Sequence, residues 1–308
     1  AALNKCAKKP EAFAQIWEAR TMGRPIRALC FAPFLSQLFG AGDDGTVRCW
    51  DASEGSLKWE AANAGQQMQL MESVAALCIT EAYGAVWVGR ANGTVACLQS
   101  TNGDFIGETA THIGLVTALA TCLSQRVLCS GGSDGAVLIW SVGSDESGLQ
   151  LTMGGHGRGH SGSITALEVG IVPGRGESAA ADGDDADAGS ADDGVGWLLY
   201  SGSADGSIRC WQINYDASLV CLRLLQGRMW RPTGLAVAGD GETLFCSSFD
   251  GTIRCWDASS GQALAVMQVT TRPVWALSLM PDGRTLVSAA DDGVLRGWSH
   301  AAWRGKAN

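Results

Sequence analysis

Residues 234–256 read Gly-Leu-Ala-Val-Ala-Gly-Asp-Gly-Glu-Thr-Leu-Phe-Cys-Ser-Ser-Phe-Asp-Gly-Thr-Ile-Arg-Cys-Trp. Short apolar runs at 234–237, 244–247 and 252–256 are separated by Gly239-Asp240-Gly241-Glu242 and by Phe249-Asp250-Gly251. Strand-sized runs broken by Asp-Gly turns read as consecutive antiparallel hairpins. A further turn leads to a fourth run, Gln262 to Met267. The stretch lacks apolar residues at i, i+3, i+4 and i+7, so a helical repeat is excluded.

The same frame recurs along the chain. Asp44-Gly45, Asn92-Gly93, Asp134-Gly135, Asp205-Gly206, Asp250-Gly251 and Asp292-Gly293 are each followed, six residues after the Asp or Asn, by Trp50, Leu98, Trp140, Trp211, Trp256 and Trp298. Ala-Leu or Gly-Leu pairs precede them, their Leu being 29, 77, 119, 167, 235 and 277. That Leu stands 15 residues before the Asp or Asn in five copies and 38 before it in the fourth. Four strands in units of about 40–45 residues is the spacing of propeller blades.

These residues resemble the WD-repeat β-propeller family, from about Ala14 to Trp298. Trp50-Asp51 and Trp256-Asp257 keep the family's dipeptide, and Gly159-His160 keeps its Gly-His. The resemblance implies an all-β fold, a single propeller of four-stranded antiparallel blades over residues 1–308. Six blades are expected, or seven if the chain is a fragment of a longer parent. Residues 14–21 align with Gln262–Val269 and are expected to supply the outermost strand of the last blade, leaving no broken sheet edge.

The family also implies a hydrogen-bonded tetrad. Two copies match it fully: His112, Ser130, Asp134 and Trp140, then His160, Ser201, Asp205 and Trp211. The sixth keeps Ser288, Asp292 and Trp298, the first Asp44 and Trp50, and the fifth Asp250 and Trp256. A buried Asp needs its lone pairs satisfied, and a neutral His N–H can do this. Repetition at equivalent places argues for structure and against a Ser-His-Asp hydrolase triad. Arg48, Arg209, Arg254 and Arg296 recur in the third strand and read as structural.

With 46% apolar residues the chain can bury a sizeable core. No apolar run reaches the length of a membrane-spanning helix, and membrane insertion is not expected. The eleven cysteines recur at blade-equivalent positions, Cys49, Cys97, Cys210 and Cys255 among them. Periodic placement, an odd count and the absence of Cys-x-x-Cys argue for buried apolar thiols in a reducing compartment, cytoplasm or nucleus, and against a metal site. Residues 174–196 form an acidic insertion between the first two strands of the fourth repeat. Its seven carboxylates against Arg175 supply −6 of the net charge of −9. Ala, Gly, Asp and Ser without an aromatic residue cannot order themselves, so a solvated loop is expected there. Nucleic-acid binding has no basic stripe to support it.

Function must therefore be read from a surface. The resemblance implies docking on the face that carries the Asp-Gly turns. There the second to fourth copies offer Ala91, Ser133, Ala204, Thr117 and Thr165. The fifth, sixth and first offer Trp230, Arg231, Phe249, Trp275, Asp291, Arg27 and Asp43, the mixture that binding hot spots use. A non-catalytic scaffold for a protein or peptide is expected, with no cofactor and no catalytic residues. The alternatives are a recruitment domain of a larger protein, or an enzyme or small-ligand binder using the central channel. A channel catalyst needs convergent ligands, and two of the four His belong to the tetrads. There is no Arg-Arg pair of the phosphoinositide-binding kind and no Trp-Asp-x-Arg of the ubiquitin-ligase-adaptor kind.

Overall fold

The computed structural model describes residues 26–61, 73–121, 126–145, 148–172, 196–214, 216–225, 230–238, 241–280 and 285–299. The N-terminal strand expected at 14–21 and nearly all of the acidic insertion lie outside these residues. Among them 23 strands form six antiparallel sheets in chain order. The first blade holds β1 (Ile26–Ala32), β2 (Gln37–Gly42), β3 (Val47–Asp51) and β4 (Leu57–Ala61). The second holds β5 (Val74–Thr80), β6 (Ala85–Arg90), β7 (Thr94–Gln99) and β8 (Phe105–Ala110). The third holds β9 (Val116–Thr121), β10 (Val127–Gly132), β11 (Val137–Asp145) and β12 (Gly148–Gly157). In the fourth are β13 (Ile164–Val172), β14 (Gly196–Ser203), β15 (Ile208–Ile213) and β16 (Leu219–Leu225). The fifth has β17 (Pro232–Val237), β18 (Thr243–Ser248), β19 (Thr252–Asp257) and β20 (Ala263–Gln268). The sixth shows β21 (Val274–Leu279), β22 (Thr285–Ala290) and β23 (Leu295–Ser299), three strands among the described residues.

Each sheet is a meander joined by the turns the sequence announces. The glycine of every Asp-Gly or Asn-Gly turn has positive φ, between 69° at Gly45 and 85° at Gly93. The preceding side chain accepts from its own turn, as Asp134 Oδ1 does from the amide of Ala136 at 3.0 Å. In all five four-stranded sheets the third and fourth strands slip register at the residue before the Trp or Leu. That repeated bulge re-aims the Trp toward the preceding blade.

Blades pack face to face through five buried clusters, each shared by two consecutive sheets. The side chain three residues after the turn Asp or Asn points at the next blade. Val47, Val95, Val137, Ile208 and Ile253 are at most 1% exposed there. The sixth equivalent, Leu295, is 59% exposed, and Leu29 on the facing side of the first blade is 60% exposed. Among the described residues no buried cluster joins the sixth sheet to the first.

One carboxyl sits against the grain of this packing. Glu168 on β13 lies opposite Tyr200, where other blades carry Cys30, Cys78, Ala120, Ala236 or Ser278. The residue keeps some exposure, but its carboxyl is buried, and burial pushes its pKa from 4.5 up to about 7 against a weaker pull from the backbone at Val237. A raised carboxyl pKa costs nothing below pH 4.5 and destabilises progressively as pH climbs through 7. Glu168→Gln is therefore expected to stabilise the fold by about 1–3 kcal/mol at pH 8 and hardly at all at pH 4.5. Urea unfolding of both proteins across that range checks this; a pH-independent difference would contradict it.

Candidate protein-binding site

The Asp-Gly face is built first by its anchors. His112 lies with Nδ1 3.1 Å from Asp134 Oδ1 and Nε2 2.9 Å from Ser130 Oγ, while Trp140 Nε1 donates to that hydroxyl at 3.0 Å. Burial lowers the His112 pKa and outweighs the carboxylate, so the ring is neutral. One arrangement of protons then satisfies all four groups. The indole N–H donates to Ser130, the Ser130 hydroxyl to Nε2, and Nδ1–H to Asp134. The amide of Ile113 also donates to Asp134 at 3.0 Å, tying the loop before β9 to the turn after β10.

The fourth blade repeats the set. His160 Nε2 is 2.7 Å from Ser201 Oγ, its Nδ1 is 3.3 Å from Asp205 Oδ2, and Trp211 Nε1 donates to Ser201 at 2.8 Å. Hydrogen bonds from Ser207 and from the amide of Ser161 hold the Asp205 pKa at about 2 against its burial.

Blades without the His use a different partner. Arg48 donates to Asp44 at 2.7 Å, Arg254 to Asp250 at 3.3 Å and Arg296 to Asp292 at 2.6 Å. In the fourth blade, where His160 takes the Asp, Arg209 donates instead to the carbonyl of Gly159 at 2.8 Å. The recurrent arginines thus replace the tetrad His as the cation or donor that the turn carboxylate needs. Asp followed by Arg four residues later carries this signal in the sequence. In the second blade, which has lost the set, Trp87 Nε1 donates to Thr80 Oγ1 at 3.0 Å.

On this frame the sequence candidates fall into two groups. On the fifth and sixth blades Phe249 and Trp275 meet edge to face, with centroids 5.6 Å apart at 84°. Trp275 Nε1 donates to Asp291 Oδ1 at 3.2 Å, and Arg272 approaches Asp291 Oδ2 at 3.4 Å. The amide of Phe249 donates to the carbonyl of Arg231 at 3.1 Å, and the Ser248 hydroxyl bonds the carbonyl of Trp230. Trp230 is 70% and Trp275 47% exposed, and Arg231 is exposed as well. These residues make one ledge, aromatic at its centre and guanidinium-bearing at its rim.

Arg27 and Asp43 stand apart on the first blade. They form a two-pronged ion pair at 2.8 and 2.7 Å, and Ser73 also donates to Asp43 at 3.1 Å. No described contact links this pair to the ledge. An exposed pair of this kind is screened by solvent, so it shapes the surface more than it stabilises the fold.

Among the described residues no group of three or more His, Cys, Asp or Glu could hold a metal ion. Seven of the nine described cysteines are buried, and burial raises Cys30, Cys49 and Cys255 to about 11. Among the described residues, no helix is long and apolar enough to cross a membrane.

Six consecutive antiparallel sheets meeting face to face define a β-propeller. The family profile described as "WD domain, G-beta repeat" matches residues 16–51, 92–141, 219–257 and 261–299, more than half of the chain, and the chain belongs to that family. The WD40 propeller domain of Doa1 superposes with a TM-score of 0.67 at 20% identity, over 92% of this chain and 81% of that one. Zinc finger CCCH domain-containing protein 62 of Arabidopsis thaliana is 28% identical over 204 residues, 66% of this chain and 39% of its own length. WD repeat and FYVE domain-containing protein 2 of Caenorhabditis elegans is 25% identical over 197 residues, 62% of this chain and 37% of its own. The chain spans about two fifths of the length of these curated relatives.

Proposed function

We propose that this propeller is a non-catalytic scaffold that holds a protein or peptide against the ledge of Trp230, Arg231, Phe249, Trp275 and Asp291. The observation that carries the reading is the exposure of three large aromatic side chains at adjoining positions of two blades, where the turns and first-strand starts of the second to fourth blades present Ala, Ser and Thr. Aromatic side chains offer contact area at little entropic cost, and Arg adds direction. Arg27 and Asp43 would extend the contact only for a ligand broad enough to reach the first blade. The relatives' greater length favours a role as the recruiting part of a larger protein. The thiols' burial at blade-equivalent positions favours a reducing compartment, cytoplasm or nucleus.

The triple variant Phe249→Ala, Trp275→Ala, Arg231→Ala tests this by affinity purification beside wild type. Partners that depend on the ledge should be lost by at least tenfold, since truncating two or three hot-spot residues costs more than about 1.4 kcal/mol. An unchanged partner set from a folded variant would sink the reading.

A further inference from the structure

The ledge carries a charge pattern that sets it apart on its own face. Elsewhere on the Asp-Gly face a guanidinium meets a carboxylate wherever one is in reach. Arg27 grips Asp43 with two prongs, Arg48 binds Asp44 and Glu60, and Arg90 binds Glu108 at 2.7 Å. Arg254 and Arg296 bind the turn residues Asp250 and Asp292. Arg209 is held on the carbonyl of Gly159.

Two arginines beside the aromatic pair depart from this. Arg231 is exposed, and among the described residues only its backbone carbonyl is engaged, by the amide of Phe249. Arg272 has a side chain 63% exposed and reaches a single carboxylate oxygen, Asp291 Oδ2, at 3.4 Å. Arg158, in the loop before β13, is exposed as well, but the turn positions of the third and fourth blades carry Ser133 and Ala204 in place of an aromatic ring.

Contacts run through the ledge in a fixed order. The carbonyl of Arg231 holds Phe249, Phe249 meets Trp275, Trp275 donates to Asp291, and Asp291 ends at Arg272. A guanidinium-bearing residue therefore stands at each end of an aromatic corner. The carboxylate between them is engaged at both oxygens, Oδ1 by the Trp275 indole and Oδ2 by Arg272. Little of it is left to balance a ligand cation, so capture of an ammonium group against the rings is disfavoured. What the ledge lacks is acceptors. A single phosphate draws its donors to one point, whereas donors at two ends of a corner suit two separate carboxylates.

The net charge of −9 does not oppose an anionic ligand, because the acidic insertion supplies −6 of it. The insertion joins β13 to β14 at the end of the sheet away from the Asp205-Gly206 turn. β14 has 8 residues, about 25 Å of strand, well beyond the screening length of about 8–10 Å at physiological ionic strength. The local pattern decides.

We propose that the ledge selects an acidic peptide segment, seating an aliphatic or aromatic side chain on Phe249 and Trp275 with an Asp or Glu to either side to meet Arg231 and Arg272. The inference rests on the ledge being a protein-binding surface and adds the chemistry of its partner. The partner's carboxylates do for Arg231 and Arg272 what Asp44 and Asp250 do for Arg48 and Arg254.

Random peptides displayed on phage are the probe, selected on the full chain and sorted by their loss of binding to the Phe249→Ala, Trp275→Ala variant. Ledge-dependent peptides should be enriched in Asp and Glu flanking an apolar residue. Combining Arg231→Gln with Arg272→Gln should weaken them by about tenfold or more, the scale of a lost charge-assisted hydrogen bond. Charge reversal, Arg231→Glu with Arg272→Glu, should turn the selection toward Lys and Arg, a gain that loss of the fold cannot imitate. Ledge-dependent peptides that are neutral or basic on the wild-type chain, or an acidic selection that survives charge reversal, would overturn the proposal and leave the ledge as a binding surface. If no selected peptide depended on the aromatic pair, the proposal and the reading it rests on would fall together.

Discussion

Trp211→Ala is expected to destabilise the propeller by about 3–5 kcal/mol, the range for deleting a fully buried Trp. The indole is 2% exposed and packs in the cluster shared by the third and fourth blades, beside Leu199, Ile164 and Ala217. Its neighbours cannot readily collapse into the void, because Gly157 of β12 already abuts the ring and β strands on both sides are fully paired. The polar consequence adds to the cavity. Without the indole N–H, Ser201 keeps only its bond to His160, and the chain of donors running to Asp205 loses its origin. Trp211→Phe separates the two effects: it keeps most of the ring and removes the donor, and should cost about 1–2 kcal/mol. Urea unfolding of both variants measures the difference. If Trp211→Ala cost less than about 1 kcal/mol, the indole could not be the buried anchor described above.

The second large effect is expected at a turn. Gly251 has φ of +80°, and a Cβ there would stand 2.1 Å from the carbonyl oxygen of Thr270 and 2.8 Å from that of Arg272. Those carbonyls cannot retreat, because the amides of Val269 and Thr270 are bonded to the Gly251 carbonyl at 3.0 and 3.3 Å. Gly251→Ala therefore combines a left-handed backbone penalty of about 1–2 kcal/mol with backbone overlap, for a total of about 3–4 kcal/mol. Urea unfolding measures this, and a loss of only the backbone part, about 1–2 kcal/mol, would show that the loop does not clasp the turn. Because Phe249 and Arg272 flank this clasp, Gly251→Ala should also loosen the ledge.

The clasped turn at Gly251 shows how far the sequence could be read. Asp-Gly marks a turn with positive φ at every described occurrence, and short apolar runs on either side mark strands, so blades and their order were legible from local pattern alone. The tetrads were legible too, because Ser and Trp keep fixed offsets from the turn Asp and the His keeps its offset from the Ala-Leu pair. What the pattern could not carry was contact between blades. That Gly251 is clasped, that Phe249 meets Trp275 edge to face, and that Arg272 approaches Asp291 all depend on how one sheet is rotated against the next. The same limit explains Arg27 and Asp43. Each reads as an available binding residue in sequence, whereas in the fold each consumes much of the other's capacity.

Some misses had a signal in plain view. The arginine four residues after Asp44, Asp250 and Asp292 reads as repeat decoration, but it satisfies the turn carboxylate where the tetrad His is missing. A carboxylate at a turn demands a donor, and the i,i+4 arginine is the nearest one in the chain. Glu168 gave the opposite kind of signal, a charged residue in a column of small ones, and its burial follows from that position.

The central claim is that the fifth and sixth blades, through the Phe249–Trp275 ledge, hold a protein or peptide ligand. Photo-crosslinking tests it most directly, with a photoreactive phenylalanine analogue placed at Phe249 and, as controls, at the corresponding turn positions Ala91 and Ser133. The account expects adducts to a discrete partner from position 249 and none from 91 or 133. Adducts formed equally from all three positions, or from 91 and 133 alone, would contradict it.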